Sequence, residues 1–83
     1  MYLAKVYVTY KPTVNEPQGL TVQGGLKMLG FQGVRKVRVG KYIEIQLEEA
    51  SREKAEAQVK DMCQKLLANP NIEQFRFELE DKA

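Results

Sequence analysis

Nucleophilic chemistry in this chain would have to start from Cys63, its single cysteine, and the sequence contains no histidine to activate it. A reactive thiolate needs a neighbouring base or positive surroundings. Cys63 falls instead in the series Ala55, Val59, Met62, Cys63, Leu66 and Leu67, whose spacing is that of one apolar helix stripe. A buried, inert thiol is expected. Metal chemistry is equally poorly supplied, because no spacing of Asp and Glu resembles an oxygen-ligand loop. The glycines do not cradle phosphate either. Gly30-Phe31-Gln32-Gly33 follows a helical stretch and precedes a strand, the reverse of the strand-to-helix order that phosphate binding requires. These residues predict a chain with no catalytic group, no metal and no cofactor of its own.

The elements that would position any site are legible from periodicity. Residues 2–10 alternate, with Ala4, Val6 and Val8 on one side and Leu3, Lys5, Tyr7 and Thr9 on the other, which predicts a strand with one buried face. Asn15 is the expected cap of a first helix, with Gln18 in the reciprocal position and Pro17 in the first turn. Gly30 stands where that helix should end in a left-handed residue. Val34–Val39 and Tyr42–Glu48 read as two strands joined by a glycine-first turn at Gly40-Lys41, a hairpin. Ser51 caps a long second helix that Asn69-Pro70 stops, and Ile72–Glu80 is the last strand.

The order β-α-β-β-α-β predicts an α+β, ferredoxin-like sandwich: a four-stranded antiparallel sheet with both helices on one face. The expected core is Val6, Val8, Leu26, Leu29, Val37, Val39, Ile43, Ile45, Leu47, Val59, Met62, Leu66, Phe75, Phe77 and Leu79. At 83 residues the chain has room for a single domain, residues 1–83. No apolar run approaches membrane-spanning length, and the first ten residues read as a strand rather than a secretory signal. One cysteine excludes a disulfide scaffold, so a reduced, cytoplasmic setting is expected.

Surface chemistry is more informative than the search for catalysts. Residues 1–43 carry seven basic side chains against Glu16 alone, whereas residues 44–83 carry ten acids against six bases. Two such halves suit pairing with another copy or with an oppositely charged protein. The face of the sheet away from the helices would carry Leu3, Lys5, Tyr7, Lys36, Arg38, Tyr42, Glu44, Gln46, Arg76 and Glu78, apolar and aromatic bodies with charged rims. An RNA- or small-ligand-binding module of the same topology is the alternative, since Tyr7 and Tyr42 sit where RNA-recognition modules stack bases. Glu44 stands against it, being a carboxylate where a second stacking ring would be wanted.

Four segments in order then carry a resemblance over Leu3 to Leu79: Glu16-Pro17-Gln18-Gly19, Leu29-Gly30-Phe31, Val37 to Glu44, and Lys65 to Glu73. Together they resemble the PurS family, the small subunit of phosphoribosylformylglycinamidine (FGAM) synthase. Glu16 replaces the aspartate common in that family, and Gly25 stands where alanine is common. The resemblance implies a subunit of an ATP-dependent ligase complex of purine biosynthesis. There it would bridge the glutaminase subunit PurQ and the synthetase subunit PurL and assist ammonia transfer. The complex converts formylglycinamide ribonucleotide and glutamine to FGAM, with ATP and Mg²⁺ used by the synthetase. A homodimer or homotetramer is implied, with neither nucleic acid nor membrane as partner. The expected interface residues are Tyr7 on the open face, Pro17, Gln18 and Gly19 at the first helix start, and Arg38, Gly40, Lys41 and Tyr42 at the hairpin. Arg38, Lys41 and Tyr42 have no evident structural role in the sequence.

Overall fold

Three strands make one antiparallel sheet, in the order β2-β1-β3, in a computed structural model that describes residues 1–82. β1 is Tyr2–Tyr10, β2 is Lys41–Leu47 and β3 is Glu73–Asp81. Two helices, α1 (Pro17–Met28) and α2 (Arg52–Met62), complete the regular structure, and α2 runs on into a π-helical turn, Cys63–Leu67. The architecture is α+β.

β1 is central because both of its edges are paired. Val6 lies opposite Ile43 on one side and Phe77 on the other. The alternation read from the sequence sets its faces: Ala4, Val6 and Val8 are all but inaccessible, under α2. Val59 and Cys63 close the core from the helix side, with Phe75, Phe77, Leu79, Ile43, Ile45 and Leu47 packed around it. Ser51 caps α2 by accepting from the Lys54 N–H, with Glu53 in the positive first turn.

The structure departs from the expected architecture at residues 34–40. Val34–Val39 pairs with no strand among the described residues, so the sheet of the single chain has three strands rather than four. The physical reason lies at Gly40. A glycine-first hairpin turn needs positive φ at that glycine, and Gly30, not Gly40, is the described glycine with positive φ, at 100°. The chain instead runs straight on past the end of β1, close enough that a Cβ on Gly40 would come within 2.6 Å of the Val8 carbonyl oxygen. Lys36 and Arg38 therefore lie beyond the strand ends rather than in the rows of the open sheet face.

The first helix also departs from expectation. It does not lie on the sheet beside α2: among its residues only Gly19 is buried. Leu29 is 76% exposed and belongs to no core. Its N-cap is Glu16, one residue later than the expected Asn15. At the other end of the chain Leu66, expected in the core, is 83% exposed. The π turn is the cause. The Ala68 N–H donates to the Cys63 carbonyl at 3.0 Å, five residues back, so the turn holds an extra residue and the apolar stripe slips out of phase.

The molecule is accordingly extended, 50 × 29 × 14 Å, with a radius of gyration of 16.3 Å. A compact chain of this length has about 12 Å.

Candidate docking surfaces

The open face of the sheet is built in rows by strand register. Tyr42, Tyr7 and Arg76 share one row, Glu44, Lys5 and Glu78 the next, and Gln46, Leu3 and Glu80 the third. In the first row the Tyr7 and Tyr42 rings lie 5.2 Å apart at 39°, and the Arg76 guanidinium carbon sits 3.9 Å from the centre of the Tyr7 ring. The Tyr42 hydroxyl donates to Glu44 at 2.9 Å. Burial first, and then the Glu44 carboxylate, hold that hydroxyl above the ordinary tyrosine pKa. Lower on the face the Lys5 ammonium reaches Glu80 at 2.9 Å, and Lys82 reaches the same carboxylate. These two bonds pull the Glu80 pKa down to about 2, and the bond to Glu80 raises that of Lys5.

A shallow depression of ≈ 320 Å³ opens at the aromatic end, lined by Tyr7, Thr9, Lys41, Gln74, Phe75 and Arg76. Its neighbour shares Thr9 and Gln74 and adds Tyr10, Pro12, Lys36 and Arg38. The two depressions run along the Thr9 and Gln74 end of the sheet, lined by Tyr7, Tyr10, Lys36, Arg38 and Arg76, whereas the Lys41 side chain lies by register on the opposite, Val8 face. Lys41 is drawn toward Glu73, at 3.6 Å.

A second surface is the arm formed by residues 17–39. Glu16 ties its root. One carboxylate oxygen accepts from the Gly19 N–H at 2.6 Å and from the Val39 N–H at 2.9 Å, and the other accepts from the Gln18 N–H at 2.7 Å. The Val39 bond, with the two helix-start amides and the Arg38 charge, keeps this buried carboxyl below the usual range despite its desolvation. Arg38 completes the clasp by donating to the carbonyls of Lys11 at 3.1 Å and Val14 at 2.8 Å. Gly19 is there because nothing larger fits: a Cβ would overlap the Val37 carbonyl oxygen and come 2.8 Å from the Arg38 Cα. Beyond this root the arm is bare, with Leu20, Met28 and Phe31 all exposed.

The eight residues expected at an interface thus divide. Tyr7 and Tyr42 meet at the aromatic end of the sheet, Pro17, Gln18, Gly19 and Arg38 gather at the arm root, and Gly40 and Lys41 lie beside that root on the Val8 face. Arg38, Lys41 and Tyr42 each have a structural partner that the sequence does not display. Two contributors had no place among those eight. Arg76 is the cation on Tyr7. Glu16 is more than a helix start, and the available sign was its position as the lone acid of the basic half, before a proline.

Catalytic apparatus is missing from what is described. Cys63 is fully buried, and desolvation pushes its thiol up, away from reactivity. Among the described residues no three His, Cys, Asp or Glu side chains gather to hold a metal. No helix among them is long and apolar enough to cross a membrane. Fold and surfaces define a small α+β domain with an open sheet face and a projecting arm.

Comparison with known proteins gives the family. The family described as PurS, phosphoribosylformylglycinamidine (FGAM) synthase, matches residues 3–81. The PurS subunit of Bacillus subtilis is 46% identical over 81 residues, covering 98% of this chain and 95% of its own length. That of Synechocystis is 47% identical over 78 residues, covering 94% and 78%. Among solved structures, Methanocaldococcus jannaschii PurS, one of the subunits of formylglycinamide ribonucleotide amidotransferase in the purine biosynthetic pathway, superposes with a TM-score of 0.90 at 41% identity, each chain fully covered. A chain of PurLQS from Thermotoga maritima superposes with a TM-score of 0.85 at 31% identity, covering 96% of this chain and 99% of that one. This chain belongs to the PurS family of FGAM synthase.

Proposed function

We propose that this chain is the non-catalytic subunit of FGAM synthase that holds the glutaminase subunit PurQ and the synthetase subunit PurL together. By keeping the two sites in register it assists ammonia transfer in the ATP-dependent conversion of formylglycinamide ribonucleotide and glutamine to FGAM. The observation that carries this reading is the end-to-end likeness to a chain of the Thermotoga maritima PurLQS structure. The chemistry agrees with it. Glutamine hydrolysis needs an activated nucleophile, and the one thiol here is buried without a base. ATP and Mg²⁺ are on this reading handled by the synthetase. An adaptor contributes by orientation and by keeping water from a reactive intermediate. The docking residues on this reading are Tyr7 and Tyr42 on the open face, with Gly40, Lys41, Pro17, Gln18, Gly19 and Arg38 at and beside the arm root.

Self-association, as a homodimer or homotetramer, belongs to the same reading. So does the ferredoxin-like, four-stranded sheet, whose fourth strand is residues 34–39 once that segment finds a strand to pair with. A cytoplasmic setting follows from the purine pathway. Binding of RNA is disfavoured by the acids at Glu44, Glu78 and Glu80 on the open face, and by Arg76 already occupying the Tyr7 ring. The test is co-elution. Mixed with PurL and PurQ of its source and glutamine, this chain should move with both on a sizing column. Separate elution under all nucleotide conditions rejects the bridging role.

A further inference from the structure

We infer that the cationic, tyrosine-bearing end of the open sheet face docks an acidic segment of a companion subunit, with Lys36, Arg38 and Arg76 meeting its carboxylates. The inference rests on the reading that this chain bridges PurQ and PurL, and says what kind of surface it meets there.

Shape is the first observation. The two depressions, ≈ 320 Å³ each, meet at Thr9 and Gln74 and so make one shallow trough across the ends of β1 and β3. Tyr7 and Arg76 line one part of it, Lys36 and Arg38 the other. Lys36 and Arg76 are exposed, and Tyr7 is half-buried. Tyrosine and arginine are the side chains that protein interfaces favour as anchors.

The second observation is the sign of the charge. Glu16 is the only acid of residues 1–43. It is turned inward, and its carboxylate is taken up by the Gln18, Gly19 and Val39 N–H groups. The basic half therefore offers its cations no surface acid of its own. On β3, Glu73 belongs by register with Tyr10 and accepts from the Asn69 N–H at 2.7 Å. Glu78 does bond Arg76, at 3.1 Å, but the two side chains are 61% and 66% exposed. An exposed pair of this kind is weak and exchanges readily for an incoming carboxylate. Arg38 donates to the Lys11 and Val14 carbonyls through Nη2 alone, so Nε and Nη1 are left for a ligand.

The third observation selects the occupant. A nucleic acid is disfavoured because Arg76 already covers the Tyr7 ring at 3.9 Å, and because Glu44 and Glu78 in the next row interrupt any phosphate track. A single small anion is disfavoured because the helix-start amides nearby are already bonded to Glu16, so no backbone donors converge on the trough. Its donors are side chains spread over β3 and the 34–39 segment. That spread suits several carboxylates carried on one protein segment.

Affinity for PurL and PurQ of its source, measured against salt concentration, tests this with the unmodified chain, Arg76→Glu, Lys36→Glu and the neutral Arg76→Gln. Binding of the unmodified chain should weaken as salt rises. Arg76→Glu and Lys36→Glu should each weaken it by about 10-fold or more and flatten the salt dependence, with Arg76→Gln intermediate. Circular dichroism should not change, since both side chains are exposed. Arg76 lies outside the arm, so its effect cannot come through residues 17–39. In NMR, a hexaglutamate peptide at low salt should shift the amides of Thr9, Gln74 and Arg76, and hexauridylate should not displace it. If the subunits bind the unmodified chain and Arg76→Glu equally at all salt concentrations, docking uses another surface, and this inference fails while the bridging role stands. Displacement by hexauridylate would make the trough a general polyanion site and overturn the assignment to an acidic protein segment. An unmodified chain that binds neither subunit overturns both readings.

Discussion

The Val39 N–H donates to Glu16 across 23 residues at 2.9 Å, and this one bond joins the entry of the arm to its exit. It makes residues 17–39 a projecting unit rather than a loose insertion. Three N–H groups converge on a carboxylate that is 5% exposed. Such a group is satisfied only while it stays ionised.

Glu16→Gln should therefore loosen the arm at its root. The glutamine keeps the shape but points an NH₂ donor at backbone donors. Amides of Gln18, Gly19 and Val39 should exchange faster than in the unmodified chain, while those at the centre of β1 keep their rates. The folded carboxyl titrates below its unfolded value. Its stabilising effect is thus present above that value, about 4.5, and fades as pH falls through the lowered one. Unchanged exchange at Val39 would show that the clasp does not hold the arm.

Gly19→Ala places a methyl group against the Val37 carbonyl and the Arg38 backbone. Overpacking of this kind costs about 1–3 kcal/mol. Urea unfolding should register a loss in that range, and an unchanged midpoint would mean that the arm root is not packed as described.

On the open face Arg76 and Tyr42 are exposed and Tyr7 is half-buried, so the Arg76–Tyr7 and Tyr7–Tyr42 contacts each stabilise weakly. A double-mutant cycle on Tyr7 and Arg76 should give a coupling of about 0.5–1 kcal/mol. Tyr42→Ala should leave the fold intact and weaken assembly with the companion subunits. Arg38→Glu should act differently, because Arg38 holds the Lys11 and Val14 carbonyls as well as facing the trough. It should speed amide exchange in residues 11–19 as well. Global unfolding by Tyr42→Ala would mean that the aromatic row is core, not surface.

Glu80 should titrate with a pKa of about 2, since Lys5 and Lys82 both bond its ionised form. Because the folded value is depressed, the linked stability is present above about 4.5 and is lost between there and about 2. Carboxyl NMR shifts measured against pH read this directly. Lys5→Met should return Glu80 toward the ordinary range, with Lys82 retaining part of the shift. A Glu80 pKa near 4.5 in the unmodified chain would contradict the paired geometry.

What the sequence discloses and what it conceals follow one rule. β1, the body of α2 and its Ser51 cap were legible because each depends on neighbours a few residues away. The left-handed Gly30 was legible for the same reason. The fate of Val34–Val39 was not. An alternating run beside Gly40 looks the same whether it turns back on β2 or runs on past β1, and in the folded chain its end is held by Glu16, 23 residues away. The cap was misplaced similarly: Asn15 has the better local preference, but Glu16 gains a third donor from a distant segment. Leu66 was misassigned because a π turn leaves no mark on an apolar stripe. Of the candidate surface, Tyr7 and Tyr42 were legible as open-face residues from strand parity alone. The clasp was hidden because it is made of long-range bonds to backbone.

The central claim is that this chain contributes assembly and no chemistry. Glutamine-dependent FGAM formation by PurL and PurQ of its source, assayed with this chain, without it, and with a Cys63→Ser variant, tests it most directly. Activity should require the chain and survive the Cys63→Ser change. Equal activity without the chain, or activity abolished by Cys63→Ser in a variant that still folds and assembles, would contradict the account.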